Sequence, residues 1–480
     1  MSDGTRTRFY ADIMGFHQEV TGSLIPVVVN FPNGKTTKFI VDCGLFQEKE
    51  YGDKNYKLPF CVSELDFVLV THNHVDHTGR LPYLVKKGYK NSIYMTTETS
   101  YLIPLALDDS CKVLEDNARQ KNLPSLYEKS HVDETLRRIV PCDYNKVIQV
   151  TPNIKVTFFM NGHLPGAAVI LVRIYFPNYK TINLLFTGDY NNKNMFFDVC
   201  PIPKWVRKLP ITVVQESTYG SITSEETNKK CFENNVLEAI SNNKTVICLV
   251  FSLGRSQEIL YTIKKMQDDG RLDKSIPIFF DGKLAFKYTN IYLSGKLNIK
   301  KCMENFLPES LIYVDSDWRQ IILSNNKPKI IVTTSGMGSY GPAQTYLPVY
   351  LTKKNALIHF TGYTAEGTLG FKLKNTPKGD VVETGGLFLM KMADVEYTSE
   401  YSAHAKQDEL LDFLKQFEDL KMVLINHGEK ETQKIYANKV LKEVDTKYVG
   451  VLGNEHTFRV DHYGFVKTIG TEFEWVYREK

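Results

Sequence analysis

The sequence predicts an α/β protein in which a domain of alternating strands and helices interrupts a domain of layered sheets. Three observations carry this expectation. Short apolar runs end again and again in an Asp, His or Glu. From about Tyr219 the rhythm changes to strand–helix alternation, and after Met392 it changes back. The charge balance changes with it: residues 219–392 hold 22 Lys/Arg and 16 Asp/Glu, a net of +6, while the remaining 37 and 39 give −2. The expected division is residues 1–218 and 393–480 for the interrupted domain and 219–392 for the insert.

The runs of the outer domain come first. Thr37–Val41 stops at Asp42-Cys43-Gly44, Phe67–Val70 at Thr71-His72, and Val156–Met160 at Asn161-Gly162-His163. Ile182–Phe186 stops at Thr187-Gly188-Asp189, and Ile211–Val214 at Gln215-Glu216-Ser217. Continuous apolar runs of this length between turn residues fit buried strands. Strands of one sheet that each deliver a polar residue past their ends line one edge with functional groups. In the insert, Thr245–Phe251 precedes Gly254-Arg255 and an amphipathic run to about Met266. Ile276–Phe280, Lys329–Thr333 and Ala356–Phe360 follow, ending in Asp281-Gly282, Thr334-Ser335-Gly336 and Thr361-Gly362. Such alternation argues for a parallel sheet with helices on both faces. The outer domain resumes with His404, a helix carrying Leu410, Leu411, Phe413, Leu414 and Phe417, and Met422–Ile425 before Asn426-His427-Gly428.

Composition narrows the class. At 480 residues, 42% hydrophobic and 24% charged, the chain is ordinary globular material, which excludes collagen, coiled coil and wholesale disorder. A formal net charge of +4 does not by itself call for a polyanionic partner. No stretch approaches the about 18 apolar residues of a spanning helix, so no membrane association is expected. No apolar segment follows Met1-Ser2-Asp3-Gly4-Thr5-Arg6, so no signal peptide is expected. The 8 cysteines form no C-x-x-C pair, which argues against zinc-finger and thioredoxin chemistry. Several, such as Cys248, sit in apolar runs, as free thiols of a reducing compartment do. The expected location is the cytoplasm, or the nucleus in a eukaryotic source.

The densest chemical signal is His72-Asn73-His74-Val75-Asp76-His77, in which four potential metal ligands fall within six residues. His72 and His74 in an extended loop point to one side, and Asp76 and His77 can turn to an adjacent point. Two cations need six ligands or more, so others must come from elsewhere. His163, Asp189 and His427 each end a predicted strand. A carboxylate can bridge two cations where a neutral imidazole cannot, so Asp189 suits the bridging position. Imidazole-rich ligation favours zinc over magnesium. Five of the eleven histidines, His17, His131, His359, His456 and His462, stand outside this pattern and are read as ordinary surface or core residues.

His72-x-His74-x-Asp76-His77, with Asp42, His163 and Asp189, resembles the signature of the metallo-β-lactamase fold. Glu216-Ser217-Thr218-Tyr219-Gly220, Ser402-Ala403-His404-Ala405 and Asn426-His427-Gly428-Glu429 resemble the three motifs of the β-CASP nucleases. Phe251–Glu258, Thr334–Met337 and Gly362–Thr368 resemble further blocks of that family. The nearest pattern is that of the cleavage-and-polyadenylation endonuclease subunit and its prokaryotic relatives. The resemblance implies a four-layer αβ/βα metallo-β-lactamase fold with an inserted Rossmann-like β-CASP domain, two zinc ions per chain, and cleavage of RNA. It also implies a homodimer. A His in the third motif goes with RNA substrates in this family, so His427 points to RNA, taken here as single-stranded. The chain ends near the hydrolase domain, which fits a stand-alone nuclease.

The implied roles follow residue by residue. His72, His74 and His163 serve one zinc, Asp76, His77 and His427 the other, and Asp189 bridges them. Asp42 orients a water or a ligand imidazole. His404 is the candidate general acid, held protonated by Glu216. The Gly-rich segment carrying Ser335 and Gly336 can cradle a phosphate with its backbone N–H groups. Arg255 at a helix start can bind phosphate or pair with Glu258, and Tyr363 can stack on a base. The expected reaction is hydrolysis of RNA phosphodiester bonds by a hydroxide that two metals activate, within the chain. A 5′–3′ exoribonuclease, a hydrolase of small substrates and a non-catalytic RNA scaffold are the alternatives.

Overall fold

The computed structural model describes residues 9–480 except 17–18, 48, 227–230, 363, 365–366, 454–455, 462–465, 470–475 and 478–480. Tyr363 therefore lies outside the described residues. Two units divide the chain: Met1–Asn194, Asp198–Ser224 and His404–Lys480 form the first, and Met195–Phe197 with Glu225–Ala403 the second.

The first unit is built on two eight-stranded sheets. Along the first lie Val466–Ile469, Thr457–Asp461, Tyr10–Met14, Ile25–Asn30, Thr36–Val41, Phe67–Leu69, Ile93–Thr96 and Ile139–Cys142. Along the second lie Val476–Tyr477, Tyr448–Val451, Asp419–Asn426, Pro210–Glu216, Ile182–Phe186, Ala168–Ile174, Ile154–Met160 and Val147–Thr151. Side chains alternate between two cores, as the two-residue period of a strand requires. Met422 and Leu424 face the first sheet, where they join Val27, Phe39, Leu69, Phe158 and Leu184. Val423 and Ile425 face outward onto Leu410 and Leu414 of the helix Gln407–Lys415 and Tyr436 and Val440 of the helix Lys430–Glu443. On the far side, Ile40, Val68 and Ile93 of the first sheet meet Leu84, Ile103, Leu107 and Val132 of three helices. The result is helix, sheet, sheet, helix: four layers.

Direction is what builds the site. Thr36–Val41 and Phe67–Leu69 are parallel in the first sheet. Ile182–Phe186, Pro210–Glu216 and Asp419–Asn426 are parallel in the second. Parallel strands deliver their carboxyl ends, and the loops after them, to one edge.

The second unit has a six-stranded, wholly parallel sheet in the order Leu311–Tyr313, Ile278–Asp281, Lys329–Thr333, Thr245–Leu249, Ala356–Phe360, Asp394–Tyr397. After Thr245–Leu249 the chain forms the helix Arg255–Asp268, whose Ile259, Leu260 and Ile263 pack on Val246 and Cys248. After the neighbouring Lys329–Thr333 it forms Ala343–Tyr350, whose Tyr346 and Leu347 pack on Ile247 and Leu249 of the opposite face. Adjacent strands that send their helices to opposite faces define a doubly wound sheet. This unit starts at Glu225 and takes in Asp394–Tyr397, past the 392 expected as its end, because that strand pairs in parallel with Ala356–Phe360.

Candidate metal centre

The buried strand Phe67–Leu69 runs through Val70 and Thr71 into His72. His74 caps the short helix Val75–Thr78 through its backbone only, which leaves its ring free. Asp76 and His77 lie on that helix. The loop after Thr36–Val41 passes directly over it: Cys43 N donates to His77 O at 2.7 Å and Leu45 N to Val75 O at 3.0 Å. A Cβ on Gly44 would lie 1.5 Å from the Asp76 carbonyl oxygen, so only glycine permits this approach.

His72, His74, His163 and Asp189 bring one donor atom each to a common point, and Asp76, His77, Asp189 and His427 do the same beside it. Asp189 divides its carboxylate between the two groups. Oδ2 lies 3.5 Å from His72 Nε2 and 3.6 Å from His163 Nε2. Oδ1 lies 3.1 Å from His77 Nε2 and 3.3 Å from His427 Nδ1. Within the groups, His163 Nε2 is 3.1 Å from His74 Nδ1, His77 Nε2 is 3.1 Å from His427 Nε2, and His427 Nε2 is 3.6 Å from Asp76 Oδ2.

These distances fit a cation. A tetrahedron of ligands at about 2.0–2.1 Å has edges of about 3.3–3.4 Å. Among the described residues, buried His72 Nε2 and Asp189 Oδ1 find no hydrogen-bond partner, a costly state for groups that metal ions would satisfy. Burial, then the neighbouring His77, hold His72 well below the usual histidine range, and burial lowers His74 as well, so both rings are neutral, as ligands must be. Asp76 is buried, yet the imidazoles beside it, His427 foremost, favour its charged form and hold it at about 2.

Neighbouring polar side chains hold these donor groups in place. Asp42 accepts from Thr71 N at 2.8 Å and Thr71 Oγ1 at 2.7 Å, and its Oδ2 sits 2.7 Å from His77 Nδ1. Thr71 Oγ1 is also 3.0 Å from His72 Nδ1. Of the two tasks expected for Asp42, the geometry therefore matches the orientation of a ligand imidazole. Asn161 ties two loops together: its Oδ1 accepts from His163 N and Asn191 N, both at 3.0 Å, and its amide donates to Thr187 O and Asp189 O. Neither Thr71 nor Asn161 stands in a motif that the sequence singles out. The only signal was their position, small polar residues at strand ends beside candidate ligands.

Glu216 and His404 come together as expected. His404 Nδ1 lies 3.0 and 2.9 Å from the two Glu216 oxygens, and Nε2 points toward Asp189 Oδ2 at 3.9 Å. Tyr190 N also donates to Glu216 Oε1. Burial disfavours the imidazolium, but Glu216, helped by Asp189 and Asp76, outweighs it and carries His404 up to about 9.

Arg255, Ser335 and Gly336 belong to the second unit, at the carboxyl ends of two adjacent strands. Arg255 is 7% exposed, and its Nε donates to Glu258 Oε2 at 3.1 Å. A Cβ on Gly336 would lie 2.9 Å from the Phe251 ring, and one on Gly362 3.1 Å from Arg255 Nη1. Ser335 Oγ accepts from Tyr340 N at 3.3 Å, within its own turn.

Four layers carrying a double His/Asp cluster at one sheet edge define the class, a metallohydrolase. Comparison with known proteins agrees in three segments of the chain. Residues 26–191 match the metallo-β-lactamase superfamily, 256–373 the Beta-Casp domain and 389–449 the Zn-dependent metallo-hydrolase RNA specificity domain. Ribonuclease TTHA0252 of Thermus thermophilus is 30% identical over 438 residues, which cover 87% of this chain and 92% of that protein. The RNase J-like protein of Methanocaldococcus jannaschii is 31% identical over 386 residues, 79% of this chain and 85% of that protein. Transcription termination factor FttA of Methanosarcina mazei is 29% identical over 432 residues, 85% of this chain. The aligned residues span 66% of that factor and 63% of its counterpart in Methanococcus maripaludis, less than two thirds of either. The chain belongs to the β-CASP family of the metallo-β-lactamase superfamily.

Proposed function

We propose that this chain is a zinc-dependent ribonuclease that hydrolyses RNA phosphodiester bonds endonucleolytically. The observation that carries the reading is the division of Asp189 between two donor groups, with His404 pointing at the same carboxylate from its Glu216 partner. Support for RNA comes from the match to an RNA specificity domain and from relatives whose names are those of ribonucleases. A hydrolase of small substrates has no comparable support.

His72, His74, His163 and Asp189 Oδ2 would hold one zinc, and Asp76, His77, His427 and Asp189 Oδ1 the other. When bound, such ions lower the pKa of water toward neutrality and offset phosphate charge. The rest falls to the chain's own side chains. Asp42 keeps the His77 ring in place directly and the His72 ring through Thr71. Glu216 grips Nδ1 of His404, so Nε2 carries the proton that the departing ribose oxygen takes up. Arg255 with the Ser335–Gly336 turn is the candidate phosphate contact of the second unit. Buried free Cys43, Cys111, Cys142 and Cys248 support a reducing compartment, cytoplasmic or nuclear. Among the described residues, no helix is long and apolar enough to cross a membrane. A homodimer is the assembly that the family resemblance implies, and light scattering of the purified chain checks it.

The test is zinc analysis together with incubation of 5′-labelled and 3′-labelled single-stranded RNA, matching DNA and a chromogenic lactam. Two zinc ions per chain and internal RNA fragments from both labels are expected. Mononucleotides released first from the 5′ label would replace the endonuclease with a 5′–3′ exonuclease. Intact RNA beside a cleaved lactam would overturn the reading.

A further inference from the structure

We infer that Thr218 is a positioning residue for the second donor group: its hydroxyl selects the tautomer of His427. The inference rests on the metal reading above and adds a residue that reading does not use.

Pro210–Glu216 and Asp419–Asn426 are parallel neighbours, with Glu216 opposite Asn426. The residues just past each end must therefore run side by side. Ser217 N donates to His427 O at 3.0 Å, and Ser217 Oγ to Asn426 O at 3.0 Å. A Cβ on Gly428 would lie 2.5 Å from Ser217 Oγ, so the two turns are in direct contact. His427 itself adopts φ +50°. Only six non-glycine residues among those described have positive φ, and four of them are Asn. His427 and Asp42 are the other two, and both stand at this edge. An imidazole on such a backbone is aimed by its surroundings, not by a regular element.

The ring of His427 has two nitrogens with different tasks. Nε2 faces the donor group, 3.1 Å from His77 Nε2 and 3.6 Å from Asp76 Oδ2. To ligate there it must offer a lone pair, so in the neutral ring the proton must sit on Nδ1. A proton on Nδ1 needs an acceptor. Thr218 Oγ1 lies 3.1 Å from Nδ1, and it can pass its own hydrogen to His427 O at 3.4 Å. The hydroxyl thereby accepts from the ring and donates to the backbone of the same residue. Asp189 Oδ1 is 3.3 Å from Nδ1, but it makes no hydrogen bond. With the acceptor at Thr218, the carboxylate is left for the cation. Thr218 also makes the 216–218 turn serve twice, since Glu216 holds His404 from the same turn.

The experiment compares full-length wild type, Thr218→Val and Thr218→Ser by zinc titration against a chromophoric chelator, with thermal melts alongside. Valine keeps the shape and removes the acceptor, while serine keeps the acceptor. Removing an outer partner of a metal-ligating histidine costs about 10–100-fold in affinity. The expected result is a loss of that size for one of two zinc equivalents in Thr218→Val, an unchanged other equivalent, and recovery in Thr218→Ser. Wild-type affinity for both equivalents in Thr218→Val overturns the inference and leaves the ribonuclease reading standing, and so does an equal loss of both. Wild type that binds no zinc overturns the reading itself and the inference with it. A measurement on wild type alone gives a second test. In the metal-free chain labelled with 15N-histidine, the His427 ring, assigned by its loss in His427→Gln, should show the Nδ1–H form. The Nε2–H form would overturn the inference.

Discussion

Asp189 gives one carboxylate oxygen to each donor group, and three polar contacts nearby leave those oxygens available. Asn161 takes the Asp189 carbonyl, Thr71 takes Asp42, and Glu216 takes His404. This separation of tasks makes the acid testable apart from the ligands. His404 lies outside the two four-donor groups and shares a three-donor group only with Asp189 and with Glu216, which holds its Nδ1, so His404→Ala should lower turnover by about 10²–10⁴-fold while zinc content stays at the wild-type value. Equal loss of zinc, measured by elemental analysis, would make His404 a ligand instead. Its pH dependence has a definite sign. The groups facing the ring are Glu216, Asp189, Asp76, His163, His427 and Tyr219. Because the net shift is upward, to about 9, the proton is present at neutral pH and is lost as pH rises through that value. Bound cations repel the imidazolium and bring the limb lower. Glu216→Gln removes the largest contribution that raises it, so the alkaline limb of kcat should move to lower pH relative to wild type, with zinc content unchanged. An unmoved limb would remove Glu216 from its role. At this scale the candidate ligands stand out in the sequence because metal chemistry requires unusual residues, three His and an Asp in six positions. Thr71, Asn161 and Thr218 do not, because a hydroxyl or amide is common and its partner is set by folding. Thr218 meets His427, 209 residues further along the chain, only through the parallel register of the strands before them.

At the scale of elements, strands that are buried on both faces were the readable ones. Thr245–Leu249, Lys329–Thr333 and Ala356–Phe360 are buried at every position, so hydrophobicity marks them without any periodicity. Tyr10–Met14 alternates buried with half-buried and contains Asp12, so no apolar run announces it. The 24-residue helix Thr97–Gln120 buries Thr99, Leu102, Ile103, Ala106, Leu107, Ser110 and Cys111, a stripe at helical spacing whose polar and small members conceal it, and Pro104 interrupts it. Lys329 is the exception inside a readable strand. Burial, with Lys353 nearby, pushes its ammonium down to about 8, and its Nζ donates to the Asn325 carbonyl. An unfolded lysine titrates near about 10.4. Between these values the unfolded chain binds more protons, so the penalty is full below pH 8 and fades as pH rises toward 10. Lys329→Met should therefore melt at least about 2 °C above wild type at pH 7, with the gap narrowing by pH 10. A gap that stays constant with pH would locate the effect in packing instead of charge.

At the scale of the whole molecule, the insertion was legible because rhythm and charge change together, and the ends of the insert were the least legible part. A strand at 394–397 continues a sheet whose previous strand ended at Phe360, with a hairpin, Val381–Thr384 and Leu387–Met390, between them. All the proposed ligands belong to the first unit: His72, His74, Asp76, His77, His163, Asp189 and His427 lie within its segments, and none within the second. Cations that bind only the folded first unit stabilise it by mass action, by about 2.7 kcal/mol at a hundredfold excess over the dissociation constant. The second unit has its own cores and no share in that linkage. Removing metal should therefore act on one unit. Hydrogen exchange of the interior strand Asp419–Asn426 should accelerate on chelation and recover when zinc is restored. Exchange of Thr245–Leu249, the central strand of the other sheet, should hold its rate through both steps. The contrast depends on where the ligands sit in the chain and not on which divalent ion fills them, so zinc and manganese should give the same pattern with different amplitudes. Equal acceleration in both strands would mean that the two units unfold as one and that metal stabilises the chain as a whole.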